Sequence, residues 1–543
     1  MSKTTNLTPM SSSVPSGQVY TAPRRQIWAW ALGGVANHLL ICTYGHASAI
    51  FTIGFGLNAA LVSWAIMLPR LIDGITDPIL GHISDNTHTR WGRRKPYLII
   101  GSVLGAIFLA ALYWVDPGWS DNVKLIYLFV LGTLFYCSWG LYSMAWTAIG
   151  YELSDAYHER SRIAAIGSLF LSVVLLVHGG TYWMALRPLF HHGVLQTANE
   201  IYAAGLDWPK VSSILYYAFV GEKGAPTNVI NGIRWLSGIM GLVAIVSAII
   251  TTCVCRERFG EPSVRKPHMP MLRAIRTTAS NRPFLILLLI KLCQTLGERA
   301  AGGIMVYVAM YYACQGDQAL ATQISAIGSG IGVVFGFATV PFIEPVSRLL
   351  GKKGALCLSA SVSLIASVIT PFALTPVNPY WMLVPALIGA TVGALSNTIF
   401  NAIMPDICDV DEMETGQRRE GLFTAVMGFV AKIEISLCTL LVGYMVVWAG
   451  LDTRVALQPP EVLNWLFWLA VIPNIVFTTG YLLLAMAFPM TAAYMESVRR
   501  TLEARRMAEA ESEEPESDGT ALLVDEPTDD GRTVRPAGTA AGP

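Results

Sequence analysis

Two aspartates four residues apart stand in an otherwise apolar segment of the chain. Asp73 and Asp77 follow Arg70 and precede a basic run from Arg90 to Pro96. Positions i and i+4 of a helix share one face, so the two carboxylates would point into the same space. Two such groups cannot both stay charged cheaply at low dielectric, and a bound cation removes the conflict. The spacing therefore predicts a cation site.

The same residues admit a plainer interpretation, in which Arg70 pairs with one aspartate and only holds the helices together. A single ion pair would not require the second carboxylate, so the sequence favours the cation site. Both Na⁺ and H⁺ satisfy this chemistry, because hard ions prefer oxygen ligands and a carboxyl group can take up a proton. The residues leave the ion open, and they indicate no other cofactor.

The composition is that of a membrane protein. Of the 543 residues, 53% are hydrophobic and 14% are charged, and the mean hydropathy is +0.49. Typical soluble domains carry roughly 25% charged residues. A spanning helix needs about 20 mostly apolar residues, and about twelve stretches of the chain meet this requirement. They lie at 27–54, 58–82, 97–115, 123–150, 161–187, 231–254, 283–313, 320–343, 355–375, 379–405, 420–449 and 462–490.

The stretches fall into two sets of about six, separated by a polar segment. The sequence predicts an N-terminal bundle at 27–254, a central cytoplasmic loop at 255–282 and a C-terminal bundle at 283–490. This plan resembles the major facilitator fold, in which two helical bundles move around a site near the membrane midplane. The expected fold is therefore all-α, with about 12 transmembrane helices. The remaining parts are a cytoplasmic segment, 1–26, a long external connection, 188–230, and a charged tail, 491–543, which is predicted to be disordered.

Basic residues set the orientation. Lys and Arg concentrate before the first stretch and in the loops after the even-numbered ones, as at Arg24, Arg93, Arg162, Lys352 and Arg418. The positive-inside rule then places both termini in the cytoplasm of a multi-pass protein of the inner or plasma membrane.

Several classes of protein are excluded. The chain shows no nucleophile–base arrangement, metal-ligand cluster or phosphate-binding loop, so no enzyme is expected. The nine cysteines form no CxxC pair, and the net charge is zero. No nucleic-acid partner is expected. The expected partners are a small-molecule substrate and the lipid bilayer, and the chain is expected to function as a monomer.

Several motifs in one order resemble the glycoside-pentoside-hexuronide:cation symporters, the family of the melibiose permease. The resemblance covers about residues 25–490. Its motifs are Asp73-Gly-Ile-Thr-Asp77-Pro78, Asp85, Arg90-Trp-Gly-Arg93-Arg94-Lys95-Pro96, Glu152-Leu-Ser-Asp155, His158-Glu159-Arg160-Ser-Arg162, Pro405-Asp406-Ile-Cys-Asp409, Gly416-Gln-Arg418-Arg419-Glu420-Gly421 and Lys432. The resemblance implies that Asp73 and Asp77 are cation ligands and that Lys432 links the cation site to the sugar site.

Four charged side chains are candidates for coupling or for lining a cavity: Arg70, Lys291, Glu298 and Lys432. Lys432 lies about three turns into its helix, although a lysine that reaches to the membrane interface is an alternative. Lys291, Gln294 and Glu298 are spaced i, i+3 and i+7 and form one polar stripe. The stripe lines the cavity if it is buried and is a solvated edge if it lies near the surface.

The sugar-binding positions depart from the family pattern. The resemblance places Asn37, Ser143 and Ser168 where the melibiose permease has two aspartates and an arginine. Asn and Ser bind hydroxyls more weakly than charged groups do, so a neutral glycoside is expected and galactoside specificity is not. The candidate substrate-binding residues are Asn37, His38, Ser143, Trp146, Thr147 and Ser168. Packing alone also accounts for the tryptophans.

Charged residues at the cytoplasmic ends of both halves form a candidate gate, although charges that only set topology would have the same distribution. Pairs between the halves would stabilise an outward-open state and break on inward opening. The candidates are Asp85, Arg93, Arg94, Glu152, Asp155, Arg160, Asp406, Asp409, Arg418 and Arg419.

The resemblance implies a secondary active symporter that imports a glycoside or related sugar with Na⁺ or H⁺. Two alternatives stay open. The loss of the charged sugar ligands leaves room for a lysolipid-like amphiphile as substrate. A sensor on a transporter scaffold, without transport, is the other alternative, and the paired aspartates argue against it because a sensor would not need them.

Overall fold

The computed structural model describes residues 22–513 except 88, 155–156, 206, 220–227, 258–277, 279, 418 and 456. The first half contains α1 (Arg24–Gly45), α2 (Ala47–Ala49), α3 (Ala59–Asn86), α4 (Lys95–Tyr113), α5 (Asp121–Glu152), α6 (Tyr157–Ala185), α7 (Leu189–His192), α8 (Val194–Ala204), α9 (Trp208–Phe219) and α10 (Val229–Val254). The second half contains α11 (Arg282–Thr295), α12 (Ala301–Tyr307), α13 (Gln318–Ala373), α14 (Leu383–Thr415), α15 (Glu420–Trp448), α16 (Pro460–Ala487) and α17 (Ala492–Glu513). Each half therefore carries the helices that the apolar stretches predict.

Nine helices in the described part of the chain are long and apolar enough to cross a membrane. The difference from about twelve has a structural cause. The stretches at 27–54 and 283–313 are interrupted by π-helical turns at Ile50–Gly54, Leu296–Ala300 and Val308–Ala313. Helix α13 holds two stretches, which meet at Gly351, where φ is 68° and ψ is 168°. All twelve predicted stretches thus lie in helices.

Polar side chains start several of these helices. The side chain of Asn58 accepts hydrogen bonds from the first backbone N–H groups of α3. Asn281 and Asp317 do the same for α11 and α13, at 3.0 Å and 2.9 Å. Such caps satisfy donors that have no partner inside the helix. They fix where α3 and α11 begin, and so they place the charged residues farther along each helix.

Helices α1, α3, α4, α5, α6 and α10 pack on one another, as do α11, α13, α14 and α16, whereas α15 of the second half packs most extensively on α3. Two pairs join the halves, α3 with α15 and α6 with α13. The halves also meet at the end opposite the termini. There Thr453 Oγ1 donates to the Thr52 carbonyl at 2.8 Å, and Arg454 Nη2 donates to the Gly56 carbonyl at 3.2 Å. The molecule is closed at that end.

The tail differs from the sequence prediction. Residues 492–513 form α17, where disorder is expected for 491–543; residues 514–543 lie outside the described part. Met495, Val498 and Leu502 of α17 are buried, and Arg499 Nη2 lies 3.4 Å from Asp406 Oδ1 of α14. Burial of these three apolar side chains offsets the conformational entropy that the segment loses when it folds. A charged segment without such burial would stay disordered. The helical tail is thus part of the second half.

Other connections are only partly described. The predicted external connection 188–230 contains the three short helices α7, α8 and α9. Most of the central loop 255–282 and residues 1–21 of the N-terminal segment lie outside the described residues. At the start of that loop, the Glu257 carboxylate accepts hydrogen bonds of 2.6–2.9 Å from the backbone N–H groups of Arg93, Arg94 and Lys95.

Candidate functional site

The ammonium group of Lys432 lies between the two aspartates. Its Nζ atom is 2.8 Å from Oδ2 of Asp73 and 2.5 Å from Oδ2 of Asp77. The aspartates belong to α3 and the lysine to α15, so these ion pairs join the two halves. The i, i+4 spacing therefore does place both carboxylates toward one space.

Arg70 occupies the same site from one turn earlier on α3. Its Nη1 atom lies 3.5 Å from Oδ2 of Asp73. Its guanidinium carbon is 5.1 Å from the ring centre of Tyr136 and 5.3 Å from that of Trp139. Aromatic rings attract a cation through their quadrupoles. Arg70 thus does pair with an aspartate, as the plainer interpretation of the sequence has it. The second carboxylate, that of Asp77, is bound by Lys432.

The remaining oxygen of each carboxylate lies close to a glycine of α5. Asp73 is fully buried, and its Oδ1 atom has no hydrogen-bond partner among the described residues. A Cβ atom on Gly140 of α5 would lie 3.2 Å from Oδ1 of Asp73 and 3.5 Å from Oδ1 of Asp77. Hard cations prefer such oxygen ligands. Lys432 contacts both Oδ2 atoms, so the two Oδ1 atoms are the carboxylate oxygens that remain for a cation.

The polar stripe on α11 forms a connected chain. Lys291 Nζ donates to Gln294 Oε1 at 3.4 Å, and Gln294 Nε2 donates to Glu298 Oε1 at 3.1 Å. The Lys291 ammonium also lies 4.8 Å from the ring centre of Phe400. Gln294 is buried and Glu298 is exposed. Hydrogen bonds thus connect the three side chains of the stripe, and its role as a cavity lining or a solvated edge stays a prediction.

Glu434 is an ionisable residue to which the sequence assigns no role. It lies two residues after Lys432 on α15 and is 2% exposed. Thr295 Oγ1 of α11 donates to its Oε2 atom at 3.2 Å. The two side chains leave α15 in different directions, as a spacing of two residues requires. The signal that could have found Glu434 is a lone acid in an otherwise apolar helix.

Trp146 is part of the packing between α1 and α5. Its ring stacks on Trp30 with centres 4.9 Å apart and planes 6° apart. Each indole N–H donates to the backbone carbonyl of the other residue, at 3.0 Å and 2.8 Å. The His38 ring meets the edge of the Trp146 ring at 5.7 Å. Since its N–H is already used, Trp146 can offer a ligand mainly its apolar ring.

The other substrate candidates differ in exposure. Asn37 is buried with Oδ1 unpartnered among the described residues, and Trp139 Nε1 donates to its backbone carbonyl at 2.9 Å. Thr147 Oγ1 donates to the Ser143 carbonyl at 2.7 Å. The Ser168 hydroxyl donates to its own helix, and the residue is exposed on α6. Asn37 lies on α1, and Ser143 and Thr147 lie one turn apart on α5.

Among the described contacts, each ion pair of the cytoplasmic candidates joins residues of the same half. Glu152 pairs with Arg93 at 3.3 Å and with Arg94 at 2.5 Å. Arg419 holds Asp411 through two bonds of 2.8 Å and 2.6 Å, which raise the pKa of its guanidinium. Residues 155 and 418 and the side chains of Asp85 and Arg160 lie outside the described part. Asp409 lies on α14 with Asp406, which binds Lys352 at 2.6 Å. A gate between the halves stays a prediction.

Comparisons with known proteins agree with this architecture. A family model described as MFS/sugar transport protein matches residues 31–492. An uncharacterized symporter of Synechocystis sp. is 27% identical, over 83% of this chain and 91% of its own length. A putative glycoside/cation symporter of Escherichia coli is 23% identical, over 85% and 91%. The crystal structure of a bacterial homologue of the human lysosomal transporter Spinster shares the fold, with a TM-score of 0.55, 13% identity and coverage of 88% and 96%.

Proposed function

The chain belongs to the family of MFS/sugar transport proteins, and from this premise we propose that it imports a glycoside or related sugar together with a monovalent cation. The name of the putative glycoside/cation symporter supports the substrate class over a lysolipid-like amphiphile. Membership of the family and the many apolar helices make the chain a multi-pass membrane protein. The two halves, 27–254 and 283–490, would alternate access around the site.

The observation that carries this proposal is the position of Lys432 between Asp73 and Asp77. The ammonium group of Lys432 is itself a cation, so it binds carboxylate oxygens that a coupling ion would otherwise bind. A cation that enters beside Gly140 weakens the hold of the two carboxylates on Lys432. Since Lys432 belongs to the other half, ion binding changes the strength of a contact between the halves. This link supplies the differential affinity that any ligand-driven conformational change requires.

The orientation, ion and assembly complete the proposal. Basic loops place both termini in the cytoplasm of an inner or plasma membrane. The closed end opposite the termini then faces outward. Either Na⁺ or H⁺ would serve at the aspartates. Because the site is assembled within a single chain, it would function in a monomer.

The proposed substrate site lies between α1 and α5. The amide of Asn37 and the Ser143 and Thr147 hydroxyls would bind sugar hydroxyls, and the rings of His38 and Trp146 would pack on the apolar faces of the sugar. Ser168 would contribute from α6. Neutral hydrogen bonds of this kind favour an uncharged glycoside over a hexuronide.

Transport assays test the proposal. Membrane vesicles that contain the protein receive an imposed Na⁺ or H⁺ gradient and a panel of labelled saccharides. We expect one saccharide to accumulate, and we expect Asp73→Asn and Asp77→Asn to lose the response to the ion gradient. Asp116→Asn, in an exposed loop, is the matched control. Full gradient dependence in both site variants would refute the assignment of the ion site.

A further inference from the structure

Glu434 lies in the second half, in surroundings that do not balance a negative charge. Its Oε2 atom accepts one hydrogen bond, from Thr295, and its Oε1 atom is buried with no partner among the described residues. The Cys438 thiol, one turn along α15, donates to the Thr295 carbonyl at 3.7 Å and does not reach the carboxyl group. One oxygen atom of this side chain therefore has no hydrogen-bond donor among the described residues.

The charged groups around Glu434 act only at longer range. Lys291 of α11 and Arg299 of the Leu296–Ala300 turn interact with it electrostatically, but neither forms an ion pair with it among the described contacts. Glu298 of the same turn adds a negative charge near Lys291. Helix α16 contributes no charge where it packs on this turn. Its residues there are Phe477 and Thr478, beside Gly297.

A carboxylate in such surroundings is less stable than the neutral acid, because burial removes its hydration and one hydrogen bond from Thr295, with cations only at longer range, replaces little of it. Hard metal ions take six or more oxygen ligands. The described groups around Glu434 supply the two carboxyl oxygens and the Thr295 hydroxyl. The ligand that fits this site is therefore a proton.

We propose that Glu434 is a second cation site of the transporter, separate from Asp73 and Asp77, and that it binds one proton. A proton from water adds to Oε1 to give the neutral carboxylic acid, and the same O–H bond breaks to return the proton to water in the other conformation. Glu434 and Lys432 lie two residues apart on α15, so one helix carries both sites. This inference rests on the proposed symport.

Infrared spectroscopy of the purified full-length protein tests the site without any substrate. We expect the C=O stretching band of a protonated carboxyl group at neutral pH, and we expect Glu434→Gln to remove the intensity of about one such group. Glu344→Gln, at an exposed ion pair with Arg348 on α13, should leave the band unchanged. A band of equal intensity in Glu434→Gln and the parent would overturn the proposal.

A second variant covers the case in which Glu434→Gln does not fold. Thr295→Val keeps the size of the side chain and removes the hydroxyl that binds Oε2. The band should keep its intensity and move to higher frequency, and an unmoved band would contradict the assignment.

Transport then separates this inference from the proposed function. In the vesicle assay, Glu434→Gln should lose accumulation driven by the H⁺ gradient and keep exchange of labelled for unlabelled saccharide. Retention of the full H⁺ response would refute the proton role. If no saccharide accumulates even in the parent, the proposed function fails, while the infrared result still decides whether Glu434 holds a proton.

Discussion

The Nζ atom of Lys432 lies 2.8 Å from Oδ2 of Asp73, and this ion pair crosses from one half of the molecule to the other. Asp73 is fully buried and Lys432 is nearly so, with 15% of its side chain exposed. A buried charge pair stabilises a structure mainly because each partner would be costly alone.

Replacement of the lysine should destabilise the protein. Lys432→Met leaves two carboxylates without their main counter-ion, and breaking a buried pair costs about 3–5 kcal/mol. We expect a lower melting temperature for the purified protein in detergent. Added Na⁺ should recover part of the loss if the site accepts that ion. Lys210→Met, at an exposed pair outside the bundle, is the control, and an equal melting temperature for Lys432→Met and the control would contradict the role of the pair.

Gly140 offers a test of where the ion sits. An alanine here places Cβ 3.2 Å from Oδ1 of Asp73, in the space where the cation is expected. We expect the ion concentration for half-maximal transport to rise about tenfold, equivalent to about 1.4 kcal/mol. Gly105→Ala, whose nearest neighbour is 3.5 Å away, should leave it unchanged. An unaltered ion requirement in Gly140→Ala would place the ion elsewhere.

Gly443 lies where α15 presses on α3, toward the closed end of the molecule. A Cβ atom there would overlap Ser63 Oγ and come within 2.6 Å of the Ala59 carbonyl oxygen. Overpacking of this kind costs about 1–3 kcal/mol. Gly443→Ala should therefore favour the conformation in which this end is open.

A membrane-impermeant maleimide measures that shift. Added from outside to a Thr52→Cys background, it should label Gly443→Ala faster than the parent, because Thr52 is buried in the closed end. Gly428→Ala lies on the same helix with nothing within 4 Å of the added atom, and it should label at the parental rate. Equal rates for both glycine variants would show that this contact does not hold the end closed.

The packing of α17 on the second half can be tested by a substitution in its buried stripe. Val498 is 1% exposed against the second half, so Val498→Asp should detach α17. Limited trypsin digestion should then cleave faster at Arg499, Arg500, Arg505 and Arg506. Thr501→Asp adds the same charge at an exposed position and should be cleaved at the parental rate. If Val498→Asp resists trypsin as well as the parent does, α17 is not held by its apolar stripe.

Periodicity and hydropathy account for much of what the sequence could predict. About twenty apolar residues define a span, and every predicted stretch lies in a helix. The shared face of Asp73 and Asp77 follows from helical geometry alone, as does the separation of Lys432 from Glu434. These features depend on one helix at a time, which is why spacing is enough to predict them.

Relationships between helices were harder to predict. Nothing in the spacing of α15 indicates that Glu434 meets Thr295, a contact 139 positions apart in the chain. The π turns also escape periodicity, because one extra residue rotates every later side chain relative to the earlier ones. The tail is a different case. Met495, Val498 and Leu502 have the i, i+3 and i+7 spacing of a packed helix. The high charge of the segment nevertheless favoured a prediction of disorder.

The charges at the site add up to zero, since Arg70 and Lys432 balance Asp73 and Asp77. A carrier without cargo would therefore carry no net charge from this site as it reorients, and the membrane potential would neither drive nor retard that step. With one bound monovalent cation the same site carries a single positive charge. A membrane potential acts on it with about 2.3 kcal/mol per 100 mV for a full crossing. At this site only the loaded step would be electrogenic, so the membrane potential would favour inward movement of the loaded site and would not oppose the return of the empty one.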